Sequence, residues 1–234
     1  MSFLEDVAIE WQNTGNIDAF GRARVSQLST MYDAKQLYDK LPLFVDEVLS
    51  GSGTATHSTS EAKTELAVST GNSYAILQTF QRFNYQSGKS QLLFWTFNGF
   101  GHENNITKRI GYFSSSTTAP YTATLDGLFI ESDGVDLSVN TYKSGSQTGT
   151  ANRADWDDPL DGSGPSGLTH DFDNNTILAV DFEWLGVGRV RYYVVKGGAL
   201  VQFHSFDFTD SVGVYMSSPN KPMRWEIRQT GINL

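Results

Sequence analysis

Between Glu65 and Thr230 the chain repeats one pattern: a short run rich in β-branched and aromatic residues, then a turn. The runs are Glu65–Thr70, Tyr74–Phe83, Ser90–Asn98, Thr107–Phe113, Leu125–Ser132, Val135–Tyr142, Ile177–Trp184, Val187–Lys196, Ala199–Phe206 and Met223–Thr230. Turn signals separate them at Ser87-Gly88, Asn98-Gly99, Asp133-Gly134, Gly197-Gly198 and Pro219-Asn220. Lys196-Gly197-Gly198-Ala199 has the form of a tight hairpin, because paired glycines accept the positive φ that hairpin turns demand. Many short strands with almost no helical period predict an all-β chain, an antiparallel β-sandwich of jelly-roll type. Composition agrees: 13% of residues are aromatic and 22 are glycine, which suit pleated surfaces and the turns between them.

A chain of 234 residues commonly forms one such domain, and at this size it buries roughly 70–75% of its unfolded surface. It needs no covalent staples and contains no cysteine, which excludes disulfides, cysteine-ligated zinc and a thiol nucleophile. The formal net charge of −9 argues against direct binding to nucleic acid, whose phosphates attract Lys/Arg stripes. No apolar run approaches the ~20 residues a membrane helix requires. Met1 to Glu10 has no basic region followed by an apolar core, so no signal peptide is expected.

The first fifty residues differ from the rest. They read as an arm, residues 1–50, with scattered apolar positions (Phe20, Val25, Leu28, Met31, Leu43, Phe44) and a turn at Thr14-Gly15-Asn16. Asp33 to Leu41 is a helix candidate, with Asp33 as N-cap, Leu37 and Leu41 on one face, and Pro42 as the stop. Arg22 and Arg24 alternate outward in Phe20-Gly21-Arg22-Ala23-Arg24. An arm of this kind buries little against itself, so Phe20, Arg22, Arg24, Leu43 and Phe44 are candidate contacts to a neighbour. Residues 51–60 are small and polar and read as a flexible linker. The sandwich is then expected over residues 61–234. Ser144 to Asn175 reads as one long polar loop, and such loops are usually functional or interfacial.

Asp181 to Arg191 is the most unusual segment. If Gly186 and Gly188 make a simple turn, alternation places Asp181, Glu183, Arg189 and Arg191 on one face, with Phe182 and Trp184 opposite. Two readings compete. Paired carboxylates could serve glycoside hydrolysis, at separations of about 5–5.5 or 6.5–9.5 Å. Facing arginines, however, lower carboxylate pKa values, the opposite of what a general acid requires. The structural ion-pair reading is therefore preferred. Asp155, Asp157, Asp158, Asp161, Asp171 and Asp173 could together hold Ca²⁺, but lack the order of an EF-hand loop and are ordinary turn residues. No histidine pair has metal-ligand spacing, and no nucleophile elbow is present. No catalytic residue, cofactor or metal is expected.

Three strings together carry a resemblance. They are Phe20-Gly21-Arg22-Ala23-Arg24-Val25-Ser26 with Tyr38 to Phe44, then Phe83-Asn84-Tyr85-Gln86-Ser87-Gly88-Lys89-Ser90-Gln91, then Asp181 to Arg191. Tyr215-Met216 and Arg224-Trp225-Glu226-Ile227 add to them. The chain resembles structural proteins of tailed bacteriophages from about Phe20 to Arg228. The resemblance implies a non-enzymatic virion component, assembled in the host cytoplasm, that binds the major capsid protein or other virion subunits. A capsid decoration (cement) protein, forming a trimer, is the expected role. A tail, collar or fibre subunit is the nearest alternative. A carbohydrate-binding or receptor-binding sandwich is the alternative from another class, and predicts Trp95, Trp156 or Trp184 exposed in a groove.

Overall fold

The computed structural model describes residues 29–87, 89–119, 121–184, 188–211 and 213–231. Thirteen strands occur among them: β1 Val45–Ser50, β2 Thr54–Ser58, β3 Lys63–Ala67, β4 Ser73–Thr79, β5 Gln91–Phe97, β6 Ile106–Ser114 and β7 Asp126–Ser132, then β8 Leu137–Lys143, β9 Ser146–Asn152, β10 Thr176–Phe182, β11 Arg189–Lys196, β12 Ala199–Asp207 and β13 Met223–Gln229. A single 3₁₀ turn, Arg153–Asp155, follows β9.

Every strand pairing is antiparallel. Seven strands form one sheet in the order β1-β4-β13-β6-β7-β8-β9. Four form the opposing sheet, β12-β11-β10-β5, and β2-β3 is a separate hairpin. The chain is a jelly-roll-like antiparallel sandwich, as the strand pattern predicts.

Alternation builds the core. In β10, Leu178, Val180 and Phe182 turn inward and are almost fully buried. In β6 and β7, Ile110, Tyr112, Leu128 and Ile130 meet them from the other sheet, and the Tyr112 and Phe182 rings lie 5.4 Å apart. Each fully buried side chain of this size contributes about 1.5–3 kcal/mol. Polar tips are accommodated at the seam. The Tyr112 hydroxyl donates to the Pro219 carbonyl at 2.7 Å and accepts from the Lys221 N–H at 3.0 Å. Burial pushes its phenol up to about 12. The Tyr192 hydroxyl donates to the Asn140 carbonyl at 3.2 Å, tying one sheet to the other.

The seven-stranded sheet also has a small apolar cluster on its outer face, Phe113, Leu125 and Phe129 with Tyr142. Gly127 makes this possible. Its φ is +134°, and a Cβ there would sit 2.6 Å from the Phe113 Cα. No side chain fits between the two strands at that point.

Four sequence expectations are corrected. Asp33 to Leu41 is not helical; it runs without regular structure and bends at residues 37–39. Nine residues are too few to sustain an isolated helix, and Leu37 and Tyr38 remain exposed rather than packed. The supposed linker, residues 51–60, contains β2, which pairs with β3 from Thr54–Ala67 to Ser58–Lys63. The arm does not extend to residue 50, because β1 pairs with β4 inside the large sheet. The polar stretch after Ser144 opens with β9, paired to β8, and continues into a segment that buries Trp156, Leu160 and Phe172.

Candidate functional site

The sandwich has two sides, where the edges of the two sheets approach each other, and they are finished differently. On one side β9 and β12 are the edge strands. The chain after β9 closes this side itself. Trp156 is buried against Phe203, with ring centroids 4.5 Å apart, and its indole N–H donates to the Ala151 carbonyl at 3.0 Å. The Asp158 N–H donates to the Phe203 carbonyl at 2.9 Å, and an Asp157 carboxylate oxygen accepts from the Ser205 N–H at 3.0 Å. These bonds satisfy backbone groups that an edge strand would otherwise present to another chain.

On the other side β1 and β5 are the edge strands. The seven-stranded sheet is wider than its partner, and the β2–β3 hairpin leans on β4 and β13 where the smaller sheet stops. Between hairpin and β5 lies a groove of about 2050 Å³. Leu93, Trp95 and Phe97 form one wall, Trp225 and Ile227 the floor, and Leu66 part of the far wall. Four buried polar atoms along it have no hydrogen-bond partner among the described residues: Trp95 Nε1, Gln91 Oε1, Thr64 Oγ1 and Tyr32 Oη. The cation at one end, Lys108, is already engaged. It donates to the Gly99 and Gly101 carbonyls at 2.8 and 3.0 Å and pairs with Glu103.

Beside the groove the chain leading into β1 carries exposed apolar residues. Leu43 is 86% exposed, Phe44 56% and Phe80 60%. They are held together by backbone bonds: the Phe44 and Val45 N–H groups both donate to the Leu41 carbonyl at 2.9 Å, and the Phe80 N–H to the Phe44 carbonyl at 2.9 Å. Leu41 itself sits at φ +58°, an uncommon conformation for a residue with a branched side chain. The turn thus fixes Leu43 and Phe44 outward. Of the other candidate contacts, Phe20, Arg22 and Arg24 lie outside the described residues.

The ion-pair candidates are partly separated. Asp181 and Arg191 are directly opposed on β10 and β11 and form a buried ion pair. Arg189 instead pairs with Asp207 of β12 at 3.1 Å, in a half-exposed position. Glu183 is fully buried just beyond β10, with its carbonyl accepting from the Tyr215 hydroxyl at 3.4 Å. Asp181 and Arg191 neutralise each other within the four-stranded sheet.

The acidic loop residues accept hydrogen bonds from backbone groups, some within their own turns and some from distant segments. Two N–H groups, of Leu160 and Ser166, donate to Asp158 at 3.0 and 2.8 Å. Burial alone would raise this carboxyl, but hydrogen bonds from Ser166 and Leu160 hold it below the usual carboxylate value. Asp161 accepts from the Ser163 N–H and Asp171 from the Asp173 N–H, while Asp173 accepts from Gly101. Among the described residues no group of three or more acidic or histidine side chains is arranged to hold a metal ion.

A charged network on the outer face of the large sheet was not read from the sequence. Arg109 pairs with Glu131 and, at 2.7 Å, with Glu226. Arg224 donates to Glu226 at 2.8 Å, to Gln78 at 2.9 Å and to the Tyr121 carbonyl. Burial works against the Arg109 charge, but Glu226 and Glu131 outweigh it and raise its pKa. The signal lay in the alternation of Arg224, Glu226 and Arg228 on β13. Their partners come from β4, β6, β7 and the 115–125 loop, distant in sequence. Every carboxylate here is met by a guanidinium, so the network fastens that loop to the sheet.

Neither family models nor the curated proteins include a match to this chain. Solved structures of similar overall architecture exist. A Bacillus licheniformis β-glucanase aligns at TM-score 0.49 and 11% identity, covering 85% of this chain and 89% of its own. The Emp47p carbohydrate recognition domain aligns at 0.46 and 12%, covering 82% of each. A legume lectin-like domain from Entamoeba histolytica aligns at 0.44 and 9%, covering 82% and 84%. At these scores the likeness is one of general strand arrangement.

Proposed function

We propose that the chain is a non-enzymatic structural subunit of a tailed-phage virion, a capsid decoration protein that binds neighbouring capsid subunits. The observation that carries this reading is the exposed apolar turn at Leu43 and Phe44, continued by Phe80, on the unfinished side of the sandwich. Contiguous apolar surface of this kind marks protein contact. The closed side supports it by contrast, since there the same chain covers its own edge. The resemblance of the Phe20–Ser26, Phe83–Gln91 and Asp181–Arg191 strings to phage structural proteins supplies the setting. The Asp181–Arg191 pair fits a subunit that stabilises rather than catalyses. Closed point-group symmetry is the common solution for such subunits, and a trimer is the proposed state.

The test is mass spectrometry of purified particles, with the copy number compared with that of the major capsid protein. A comparable number supports decoration. A copy number far smaller moves the chain to the tail, collar or fibre, and absence from the particle sinks the virion reading.

A second reading, a carbohydrate-binding sandwich, is favoured by the aromatic groove and its unpaired polar atoms. Of the tryptophans it invokes, Trp95 and Trp156 are only 2% and 4% exposed. Trp184 packs edge-on against Tyr215, with centroids 5.1 Å apart. None stands as an open stacking platform. Glycan-array binding by the isolated chain would favour this reading over the first.

A further inference from the structure

We propose that residues 156–174, which cover the β12 edge, form a strap that mild acid releases as a unit, with His204 and His170 as its triggers. This property of the chain is independent of what the subunit binds.

The strap is fastened at two places, and a histidine sits at each. At its start the Asp158 N–H donates to the Phe203 carbonyl, and Asp157 accepts from the Ser205 N–H. Between these bonds the Asp157 N–H donates to His204 Nδ1 at 3.4 Å. Toward its end the His170 N–H donates to the Leu160 carbonyl at 2.8 Å, folding the strap back on itself. The His170 ring meets the Thr176 hydroxyl of β10 through Nε2 at 2.9 Å. That hydroxyl donates to the Asn174 carbonyl at 3.1 Å, so Nε2 is the donor toward Thr176. Both histidines are only 7% exposed.

Both fastenings are built for neutral rings. His204 Nδ1 accepts only while it carries no proton, and protonation sets a second donor against the Asp157 N–H. The other nitrogen, Nε2, is buried with no hydrogen-bond partner among the described residues, so a charged ring has nothing to receive its second N–H. Asp157 is the carboxylate that faces it, 3.7 Å from Nδ1, but that side chain is 55% exposed and water weakens its pull. Phe206 packs edge-on against the ring at 4.7 Å, and Tyr192, opposite on β11, is kept protonated by burial.

His170 faces two cations, Lys196 of β11 and Arg153 of the 3₁₀ turn, against one acid, Asp171. Arg153 is itself the clasp of the strap. It donates to the Pro159, Leu160 and His170 carbonyls at 2.8, 2.8 and 2.9 Å. Arg153 and His170 also share the Phe172 ring, at 5.7 and 4.7 Å from its centroid. A positive charge on His170 therefore presses on the group that holds the strap's two ends together.

Opening returns both rings to water, where they take up protons near the ordinary 6.5, whereas burial holds both below it in the closed strap. The opening equilibrium should rise as pH falls below 6.5, by at most about tenfold per pH unit for each histidine. Strands β6 and β7 contain no histidine and serve as an internal reference.

The test is hydrogen exchange of the full-length chain, read by mass spectrometry at about pH 7.5 and about pH 5.5 and corrected for the intrinsic pH dependence of exchange. Protection of residues 156–174 and of β12 should fall about tenfold or more at the lower pH, while β6 and β7 change by less than about twofold. The paired variant His204→Asn with His170→Gln keeps an acceptor in place of Nδ1 and a donor in place of Nε2, but does not titrate. It should hold the strap closed at both pH values. Equal loss across all segments makes the acid response global and overturns the strap, as does unchanged protection at 156–174. A drop that persists in the paired variant overturns the histidines as triggers. Should the paired variant not fold, the single variant His204→Asn decides: it should lose at least half of the logarithmic pH response at β12, and an undiminished response overturns the proposal.

Discussion

The β9–β12 side and the β1–β5 side of this sandwich face the same physical problem, two sheet edges with unpaired backbone, and meet it in opposite ways. On the first, residues 156–160 fold back, bury Trp156 and Leu160, and bond to β12. On the second, an uncharged edge strand borders an open groove, and Leu43, Phe44 and Phe80 stand in solvent. The difference teaches where stability and association are separately stored. The closed side should respond to mutation as a core does, and the open side as an interface does.

The sharpest way to break that comparison is Trp156→Ala. It empties a buried site between Phe203 and Phe172 and should cost about 3–5 kcal/mol in urea unfolding. A loss under about 1 kcal/mol would show that the closed side is not part of the core. Asp157→Ala should cost about 1 kcal/mol, because it removes one hydrogen bond to the β12 backbone. It should also raise light scattering at high concentration, since it uncovers part of that edge.

Acidification probes the same side more gently. Burial lowers the pKa of His204, opposed by Asp157, and burial also lowers that of His170, aided by Lys196 and Arg153. Between the folded value and the ordinary 6.5, the unfolded chain therefore binds more protons than the folded one. Stability should be full above pH 6.5 and fall as pH drops through the folded pKa values. Thermal unfolding across that range checks it, and a flat profile would remove both histidines from the account. The smallest effect on stability is expected from Leu43→Ser with Phe44→Ser, within about 0.5 kcal/mol per site because both residues are exposed. The same variant should lose binding to capsid subunits in sedimentation. A variant that unfolds readily yet still binds would reverse the assignment of the two sides.

Strands with strong apolar character were legible from the sequence. β5, β7, β11 and β13 fall within predicted runs, and β4, β6, β8, β10 and β12 overlap predicted runs, each extending past at least one end. β1, β2 and β9 were missed. β2 and β9 are polar, small-residue strands, Thr-Ala-Thr-His-Ser and Ser-Gln-Thr-Gly-Thr-Ala-Asn, and β1 has acids at its centre. Such strands form because a partner strand accepts them, which local sequence does not record. The helix at Asp33 to Leu41 failed for the converse reason: it has a plausible start and stop, but no surface receives its apolar face.

The candidate site divides in the same way. Alternation placed Asp181 and Arg191 on one face, and the register of β10 against β11 made them partners. The same register, continued to β12, gave Arg189 to Asp207. The sequence alone determined an all-β chain, its strongest strands, its lack of cysteine and its acidic charge, because periodicity, composition and turn residues act locally. Only the tertiary structure decided which edges are covered, which arginine meets which acid, and where apolar surface stays open. Those outcomes depend on strand order and register, which pair residues as far apart in sequence as Ser73 and Gln229.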